Sequence, residues 1–448
     1  MFKKILVANR GEIAVRIIRA CREMGIETVA VYSQMDQDAL HKELADEAIC
    51  IGKDRSNNSY LHIQNILSAA ILTGCDAIHP GFGFLSENSK FARLCDECQI
   101  KFIGPSAQVI EKMGDKSMAR QMMIEAGVPV VPGSDGAIAN LEHALKLAAE
   151  IEYPVIVKAS AGGGGKGMRI AWAEEELASQ FEMAKMEAYN AFGDDTMYME
   201  KFIVNPKHIE IQILADEHGK ILHLGERDCS MQRRNQKVLE EAPSSVLSEA
   251  ERVMLGELAV KGAEHVSYQN AGTMEFLMDA KHRFYFIEMN TRIQVEHPVT
   301  EMVTGVDLIR LQIEIAYGKP LKMNQEDLRI NGHAIECRIN AEDPAFQFRP
   351  SPGTIEELFL PGGLGVRIDS AIYRGYKIPP TYDSMLGKLI VHAPTREEAI
   401  LRMKRALGEL LITGVKTNID FQYQLINEDA FASGLYDTGF IGQLLETK

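Results

Sequence analysis

The chain lacks any apolar run of membrane-spanning length: no stretch approaches the ~18 uninterrupted apolar residues of a spanning helix. It also lacks positive charge in excess. Its 448 residues carry 48 Lys and Arg against 63 Asp and Glu, a net charge of −15. Affinity for phosphate backbones rests on basic surface, so this balance argues against general nucleic-acid or anionic-membrane binding, and any phosphate site must be local. The start, MFKKILVANRGEIAV, has two lysines before its apolar run. That run is cut at Asn9-Arg10 with no small-residue cleavage site, so it reads as a strand and not a signal peptide. Cysteines number seven, an odd count scattered from Cys21 to Cys337, as expected for free thiols in a reducing cytoplasm. Cys95 and Cys98 form a C-x-x-C, but no second pair or histidine cluster accompanies it, which argues against a redox or metal role. There is no low-complexity tail and no repeat of fixed period.

What is present is an ordinary globular composition, 46% hydrophobic and 25% charged, enough for about two to four domains. Residues 3–104 alternate strands and helices. Lys4 to Ala8 reads as a strand, and Glu12 to Met24 as a helix with apolar positions at Ile13, Ile17, Cys21 and Met24. Gly25 stops the helix, and Thr28 to Val31 is the next strand. This β-α-β start predicts a parallel sheet. Its first turn, Ala8-Asn9-Arg10-Gly11-Glu12, has one glycine where a dinucleotide site needs G-x-G-x-x-G, which argues against NAD.

A second unit begins near Gly114, with a helix from Lys116 to Ala126 and a proline- and glycine-dense boundary from Gly127 to Gly133. The strand Tyr153 to Ala159 and the strand Met168 to Ile170 flank Ser160-Ala161-Gly162-Gly163-Gly164-Gly165-Lys166-Gly167, so this loop lies in a hairpin. It is no P-loop, because Ser160 stands where G-x-x-x-x-G-K-[ST] needs glycine and Gly167 where it needs a hydroxyl. Its backbone N–H groups, with Lys158 and Lys166, suit phosphates; the alternative is a flexible hairpin tip. Thr196 to Ile203 reads as a strand, and His208 to Leu214 as an alternating one. The dense polar run from Gly225 to Lys237 reads as a solvated loop. In the last third, Gly332 to Asn340 is another alternating strand. Thr395 with Glu398 forms a capping box for a helix whose apolar face is Ala399, Ile400, Met403, Ala406, Leu407 and Leu410. This predicts a third, α+β lobe.

The segment Phe284 to Glu296 concentrates the chemistry. If it is extended, period 2 puts Glu288, Asn290, Arg292, Gln294 and Glu296 on one face and Tyr285, Ile287, Met289, Thr291, Ile293 and Val295 on the other. Hard oxygen ligands such as Glu288 and Asn290 suit Mg²⁺, the Arg292 fork suits a planar oxyanion, and Glu296 suits a general base. The competing reading is a half-buried strand with a solvated, salt-bridged face. Glu275 shifts the balance toward the first: it is the sole charge in the apolar run Gly272 to Met278, and an ionised carboxylate is seldom buried without a partner. A short turn from Asp279 to Arg283 makes a hairpin able to bring Glu275 and Glu288 to one metal.

With these residues in hand, the chain resembles biotin carboxylase, the ATP-grasp component of biotin-dependent carboxylases such as acetyl-CoA carboxylase, over essentially all of its length. The likeness rests on ANRGEIA at 8–14, HPGFGFLSEN at 79–88, KASAGGGGKGMR at 158–169, GERDCSMQRR at 225–234 and EMNTRIQVEHPVTE at 288–301. It implies a fold of the α/β and α+β classes: a Rossmann-like parallel-sheet domain over 1–113, an ATP-grasp domain over 114–334 with a glycine-rich lid at about 132–203, and a C-terminal α+β lobe over 335–448. ATP is expected between two β-structured lobes, under the Gly162 to Gly165 loop that includes Gly164 and Gly165. Lys116 and Lys158 are expected on its phosphates, Glu200, Lys201, Phe202 and Ile203 at the adenine, and His208 at the ribose side. Asn235 joins the nucleotide set, where some members have His, and Phe82 stands where a tyrosine is usual.

The resemblance also implies Mg²⁺ or Mn²⁺ on Glu275 and Glu288 with Asn290 near. Bicarbonate is expected on Lys237, Arg292, Gln294 and the Val295 backbone, with Glu296 as its base and Arg338 on the biotin enolate. The implied reaction carboxylates carrier-borne biotin through carboxyphosphate, the first half-reaction of malonyl-CoA synthesis for fatty acids; pyruvate or propionyl-CoA carboxylase is the alternative setting. The nearest match to a biotinyl Met-Lys-Met is Ala184-Lys185-Met186, inside a helical pattern from Glu176 to Tyr189. Biotin carboxyl carrier protein and carboxyltransferase are therefore expected as separate chains, with the enzyme a cytoplasmic homodimer. Rival readings are another acyl-phosphate-forming ATP-grasp ligase, against which the Arg292 to Glu296 face and Arg338 speak, and a silent ATP-binding module, which would lack Glu275, Glu288 or Glu296.

Overall fold

The computed structural model describes residues 1–159 and 167–446. Gly164, Gly165 and the rest of the expected lid loop up to Lys166 lie outside the described residues. Packing divides the chain into a larger unit of Met1–Met122, Lys207–Glu275 and Glu288–Lys448, and a smaller one of Met123–Pro206 and Phe276–Ile287. The larger unit opens on the parallel sheet that the β-α-β pattern predicts. Strands β1 (Lys4–Val7), β2 (Glu27–Ser33), β3 (Glu47–Gly52), β4 (Ala77–His79) and β5 (Lys101–Phe102) lie in the order β3-β2-β1-β4-β5. Helix Gly11–Glu23 buries Ile13, Ile17 and Cys21, and the chain leaves it through Gly25 at φ +71°, a conformation glycine enters without a Cβ clash. Cys95 is buried, Cys98 is exposed, and all seven cysteines are free.

In the smaller unit, β6 (Val155–Ala159), β7 (Met168–Ala171) and β8 (Met197–Lys201) form an antiparallel sheet in the order β7-β6-β8, with β6 and β7 paired from Val155↔Ala171 to Lys158↔Met168. The expected hairpin is therefore present. Val155 and Val157 point into a core with Leu177, Phe181, Ala184 and Ala188 of helix Glu174–Phe192, the helix that carries Ala184-Lys185-Met186.

The remaining architecture is an eight-stranded sheet. It comprises β9 (Lys207–Ala215), β10 (Ile221–Arg233), β11 (Gln236–Ala242), β12 (Asn270–Met278), β13 (Phe284–Asn290) and β14 (His333–Asn340). Two short pairs follow, β15 (Glu342–Asp343) with β16 (Arg349–Pro350) and β17 (Leu358–Phe359) with β20 (Leu411–Ile412), before β18 (Val366–Ser370) and β19 (Met385–Ala393) complete the sheet. Its order is β13-β12-β9-β10-β11-β14-β19-β18.

Three expectations fail here. The run from Gly225 to Lys237 is not a solvated loop: most of it is β10, buried from Leu224 to Gln232, with only the turn at Arg234 and Asn235 and the first residue of β11 exposed. Its buried charges are tolerated because they meet fixed partners from elsewhere in the chain: Glu226 pairs with Arg252 of helix Glu249–His265, and Arg227 and Asp228 pair with Glu210 and Lys207 of β9. The strand expected to reach Glu296 stops at Asn290, and Glu296 instead precedes helix His297–Thr304. The third is the capping box before helix Arg396–Glu409, which is only half formed: Thr395 Oγ1 accepts from the Glu398 backbone at 3.2 Å. That helix does bury Ala399, Ile400, Met403, Ala406 and Leu407 as the pattern predicts.

Helix His297–Thr304 is seated by an apolar cluster of Val299, Val303, Ala242, Ala334 and Ile390, so packing on β11, β14 and β19 fixes where Glu296 stands. Val299 is wholly buried. Val299→Ala is expected to cost roughly 2 kcal/mol of stability through lost transfer and a residual cavity, read as a lowered thermal midpoint by calorimetry.

Candidate active site

Strand register builds a buried polar layer. Arg227 of β10 pairs across the ladder with Glu210 of β9, and its guanidinium, fully shielded from solvent, donates through Nε to that carboxylate. Nη1 also donates to Gln212 Oε1 at 2.7 Å and Thr300 Oγ1 at 2.9 Å, and Nη2 to Thr273 Oγ1 at 3.1 Å. A rigid planar fork meets four acceptors from two strands and a helix. This leaves the other Glu210 oxygen for Lys237.

The Lys237 ammonium has three N–H donors and three carboxylate partners: Glu210 Oε2 at 2.5 Å, Glu296 Oε1 at 2.7 Å and Glu275 Oε1 at 2.9 Å. Arg338 takes the remaining Glu296 oxygen, with Nη2 2.9 Å from Oε2, while its Nε donates to Glu240 Oε1 at 2.6 Å. Each oxygen of Glu296 is thus held by a different cation. Burial works to raise the Glu296 pKa, but Lys237, Arg338 and Arg227 outweigh it and hold the carboxyl well below the usual range. Glu240 goes the other way: burial dominates, Arg338 only partly offsets it, and its pKa rises to about 7.

Glu275 collects the residues beyond β13. Its Oε1 accepts from Asn290 Nδ2 at 2.9 Å and Gln294 Nε2 at 3.1 Å, and its Oε2 lies 2.9 Å from His208 Nε2. Against its burial, Lys237 and His208 hold its pKa well below the ordinary carboxylate value. Arg292 donates to Asn290 Oδ1 at 3.0 Å, to Gln294 Oε1 at 2.9 Å and, through Nε, to Glu87 Oε2 at 2.9 Å. Asn290, Arg292, Gln294 and Glu296 therefore do converge, but through a turn closed on Glu275 and Lys237 and not along one strand face. The Val295 carbonyl accepts from Lys388 Nζ at 2.8 Å.

The other expected residues are placed as follows. Glu288 is partly exposed and 3.8 Å from the exposed Lys116 ammonium; burial and then the negative charge of Glu275 raise its pKa. In the smaller unit, Lys158 is ion-paired with Glu200, and Lys201 Nζ donates to the Glu152 and Tyr153 carbonyls at 3.1 Å each. Phe202 packs edge-on against Trp172, with ring centroids 5.9 Å apart, and Ile203 joins Val131 and Tyr285. His208 Nδ1 is 2.7 Å from Gln232 Nε2. Asn235 sits exposed in the β10–β11 turn at φ +63°. Sequence reasoning assigned no role to Glu87, Glu210, Arg227, Glu240 or Lys388. Glu87 and Arg227 lie inside segments that carried the resemblance, and Glu210 lies on the alternating strand.

Three family profiles tile this chain: "Biotin carboxylase, N-terminal domain" over residues 1–110, "Carbamoyl-phosphate synthase L chain, ATP binding domain" over 115–324, and "Biotin carboxylase C-terminal domain" over 336–443. Biotin carboxylase 1 of Bacillus subtilis (strain 168) is 59% identical over 442 residues, covering 98% of each chain. This chain belongs to the biotin carboxylase family. Among other members, the 2-oxoglutarate carboxylase small subunit of Hydrogenobacter thermophilus is 54% identical over 441 residues, 98% of this chain and 93% of that one. The biotin carboxylase domain dimer of that carboxylase, solved with MgADP, ADP and bicarbonate, superposes with a TM-score of 0.92 at 54% identity, covering 100% of this chain and 98% of that one. The fold is accordingly the ATP-grasp biotin carboxylase fold, with a parallel-sheet N-terminal part.

In this biotin carboxylase, Lys237 is the cation that lets three carboxylates share one buried site, so removing it leaves Glu275 without its ammonium and three carboxylates with only Arg227 and Arg338 among them. Glu275 and Glu296 have depressed pKa values in the folded state. Their stabilisation is therefore complete above the ordinary carboxylate range and lost as pH falls through the folded values. Lys237→Met is expected to destabilise by about 3–5 kcal/mol at neutral pH, with the deficit shrinking in acid as the parent loses the same stabilisation. Thermal midpoints of parent and variant measured down a pH series check this.

Proposed function

We propose that this enzyme uses ATP and bicarbonate to carboxylate biotin borne on a carrier protein, forming ADP and passing through carboxyphosphate. The observation that carries the reading is the Glu296 carboxylate, buried, ionised and gripped between Lys237 and Arg338. A proton acceptor must begin ionised, and an anion entering beside Lys237 and Arg292 draws on Lys237, one of the two cations that hold Glu296, which raises the basicity of Glu296 when bicarbonate is present. Glu296 takes the bicarbonate proton, and the resulting carbonate oxygen attacks the γ-phosphorus of ATP. Carboxyphosphate breaks to CO₂ and phosphate, the phosphate accepts the proton from the biotin ureido nitrogen, and Arg338 stabilises the enolate-like oxygen as charge develops there. Gln294 and the Val295 main chain orient bicarbonate in this scheme.

A divalent cation such as Mg²⁺ fits Glu275 and Glu288. Burial and then the negative charge of Glu275 raise the Glu288 pKa, and a cation shared by the pair would relieve the repulsion. When bound it neutralises phosphate charge. Asn290, with its amide nitrogen on Glu275 and its oxygen on Arg292, orients the first of these ligands. The nucleotide residues we assign are Lys116, Lys158, Glu200, Lys201, Phe202, Ile203, His208 and Asn235, with Gly164 and Gly165 of the undescribed loop. For the rest of the system we propose a homodimer working in the cytoplasm with a biotin carboxyl carrier protein and a carboxyltransferase. Acetyl-CoA is the proposed final acceptor, with pyruvate or propionyl-CoA as the alternative. Partner subunits that co-purify from native cells identify the acceptor directly.

ADP formation by the purified chain is expected to require bicarbonate and to rise with free biotin; ADP formation indifferent to bicarbonate would overturn the function. Glu296→Gln is expected to lower both ATP cleavage and carboxybiotin formation by about 10²-fold or more. Arg338→Gln should spare much of the bicarbonate-dependent ATP cleavage and lower carboxybiotin by about 10² to 10³-fold. Assaying ADP and carboxybiotin side by side separates the two roles. Glu288→Gln is expected to raise the Mg²⁺ concentration needed for half-maximal activity while the far-ultraviolet circular dichroism spectrum stays unchanged; the same Mg²⁺ dependence in parent and variant would remove Glu288 from the metal site.

A further inference from the structure

Lys388 lies in the middle of β19 with no solvent exposure, a costly place for an ammonium without fixed partners. Its Nζ donates to the Val295 carbonyl at 2.8 Å. It also lies 3.1 Å from Glu12 Oε1, from the first turn of helix Gly11–Glu23, at ion-pair distance but outside hydrogen-bond alignment. Burial pushes the Lys388 pKa down, and the charges of Glu12, Glu336 and Asp369 outweigh it and keep the ammonium charged. One negative charge close by would neutralise the lysine; a hydrogen bond aimed at the main chain of the catalytic turn does something more.

Register gives that bond its meaning. Lys388 pairs directly with Arg338 across the antiparallel β14–β19 ladder, so both side chains rise from the same face of the sheet. They reach consecutive residues: Lys388 holds the Val295 carbonyl and Arg338 holds the Glu296 carboxylate. Residues 291–296 belong to neither strand nor helix, so no ladder fixes the main chain there.

We propose that Lys388 is a positioning residue: by anchoring the Val295 carbonyl it fixes the backbone entering Glu296 and so sets where that carboxylate stands between Lys237 and Arg338. The inference rests on Glu296 acting as the base. Lys388 touches neither substrate nor nucleotide in this role, and its effect is transmitted through one peptide unit. A misplacement of about 1 Å at a reacting group costs on the order of 10²-fold in rate.

The test separates anchoring from charge compensation. Lys388→Met removes donor and charge together, Glu12→Gln removes only the nearest opposite charge, and the double variant Glu12→Gln/Lys388→Met removes the pair. For bicarbonate-dependent ADP formation, Lys388→Met and the double variant are both expected to lose about 10²-fold in kcat. The KM for ATP should stay within about twofold and Glu12→Gln within about threefold of the parent kcat. The double variant should recover thermal stability that the single Lys388→Met variant loses, yet not its rate. Lys388→Gln, which keeps an amide donor, should retain more kcat than Lys388→Met. Recovery of kcat together with stability in the double variant would overturn the proposal, as would a Glu12→Gln loss equal to that of Lys388→Met. Failure of the double variant to fold would likewise assign Lys388 a purely structural role. If the unsubstituted enzyme forms no ADP in response to bicarbonate, the function proposed above fails instead, so the two failures are told apart.

Discussion

One ammonium group organises the centre of this enzyme. Lys237 meets Glu210, Glu275 and Glu296, three buried carboxylates that come from β9, from β12 and from the residue before a helix. Without a shared cation, three such charges in a low-dielectric interior would repel one another, and part of the set would take up protons. With it, each carboxylate keeps an orientation suited to a separate partner: Arg227 on Glu210, Asn290 and His208 on Glu275, Arg338 on Glu296. The surrounding sheet can be understood as a frame that delivers these side chains to one point.

The frame does this by cross-strand register. Arg227 faces Glu210, Glu240 faces Glu336, and Arg338 faces Lys388. Directly opposed residues on an antiparallel ladder share a face and stand close together, so a row of charges on β9, β10, β11, β14 and β19 becomes a two-dimensional array. Helix His297–Thr304 caps part of it with Val299 and Val303, supplying a dry boundary against which charge interactions gain strength.

The sequence was legible where chemistry and local pattern coincide. Glu275 stood out as a lone charge in an apolar run, and it does prove to be buried and fully engaged. The first β-α-β and the hairpin around the glycine loop were readable from periodicity and punctuation alone. The run from Gly225 to Lys237 misled, because its charges resemble solvent-facing ones until their partners are known, and those partners lie on other strands and on a helix. Glu296 was found for the wrong geometric reason: alternation extrapolated past Asn290, whereas convergence comes from a turn and from contacts to Glu275 and Lys237. The Arg292 partner Glu87 sits about two hundred positions earlier in the chain, and Lys388, a lone charge in the apolar run Met385 to Val391, offers the same kind of signal as Glu275 without naming its partner. Neither association has a local signature, since both arise only when distant elements are packed.

Glu296 occupies the position just before a helix without serving that helix. Its backbone has φ −81° and ψ 11°, and its side chain makes no capping hydrogen bond, although a serine or aspartate at such a site commonly adds about 1 kcal/mol. The carboxylate is turned instead toward two cations across the sheet. A redesign that scores helix ends alone would therefore favour replacing this residue, and its product would lose both the charge that Lys237 and Arg338 share and the group on which the chemistry turns. Helix-end preference and the wider charge network pull in opposite directions at this position, which makes it a useful internal control for any method that ranks substitutions by local propensity alone.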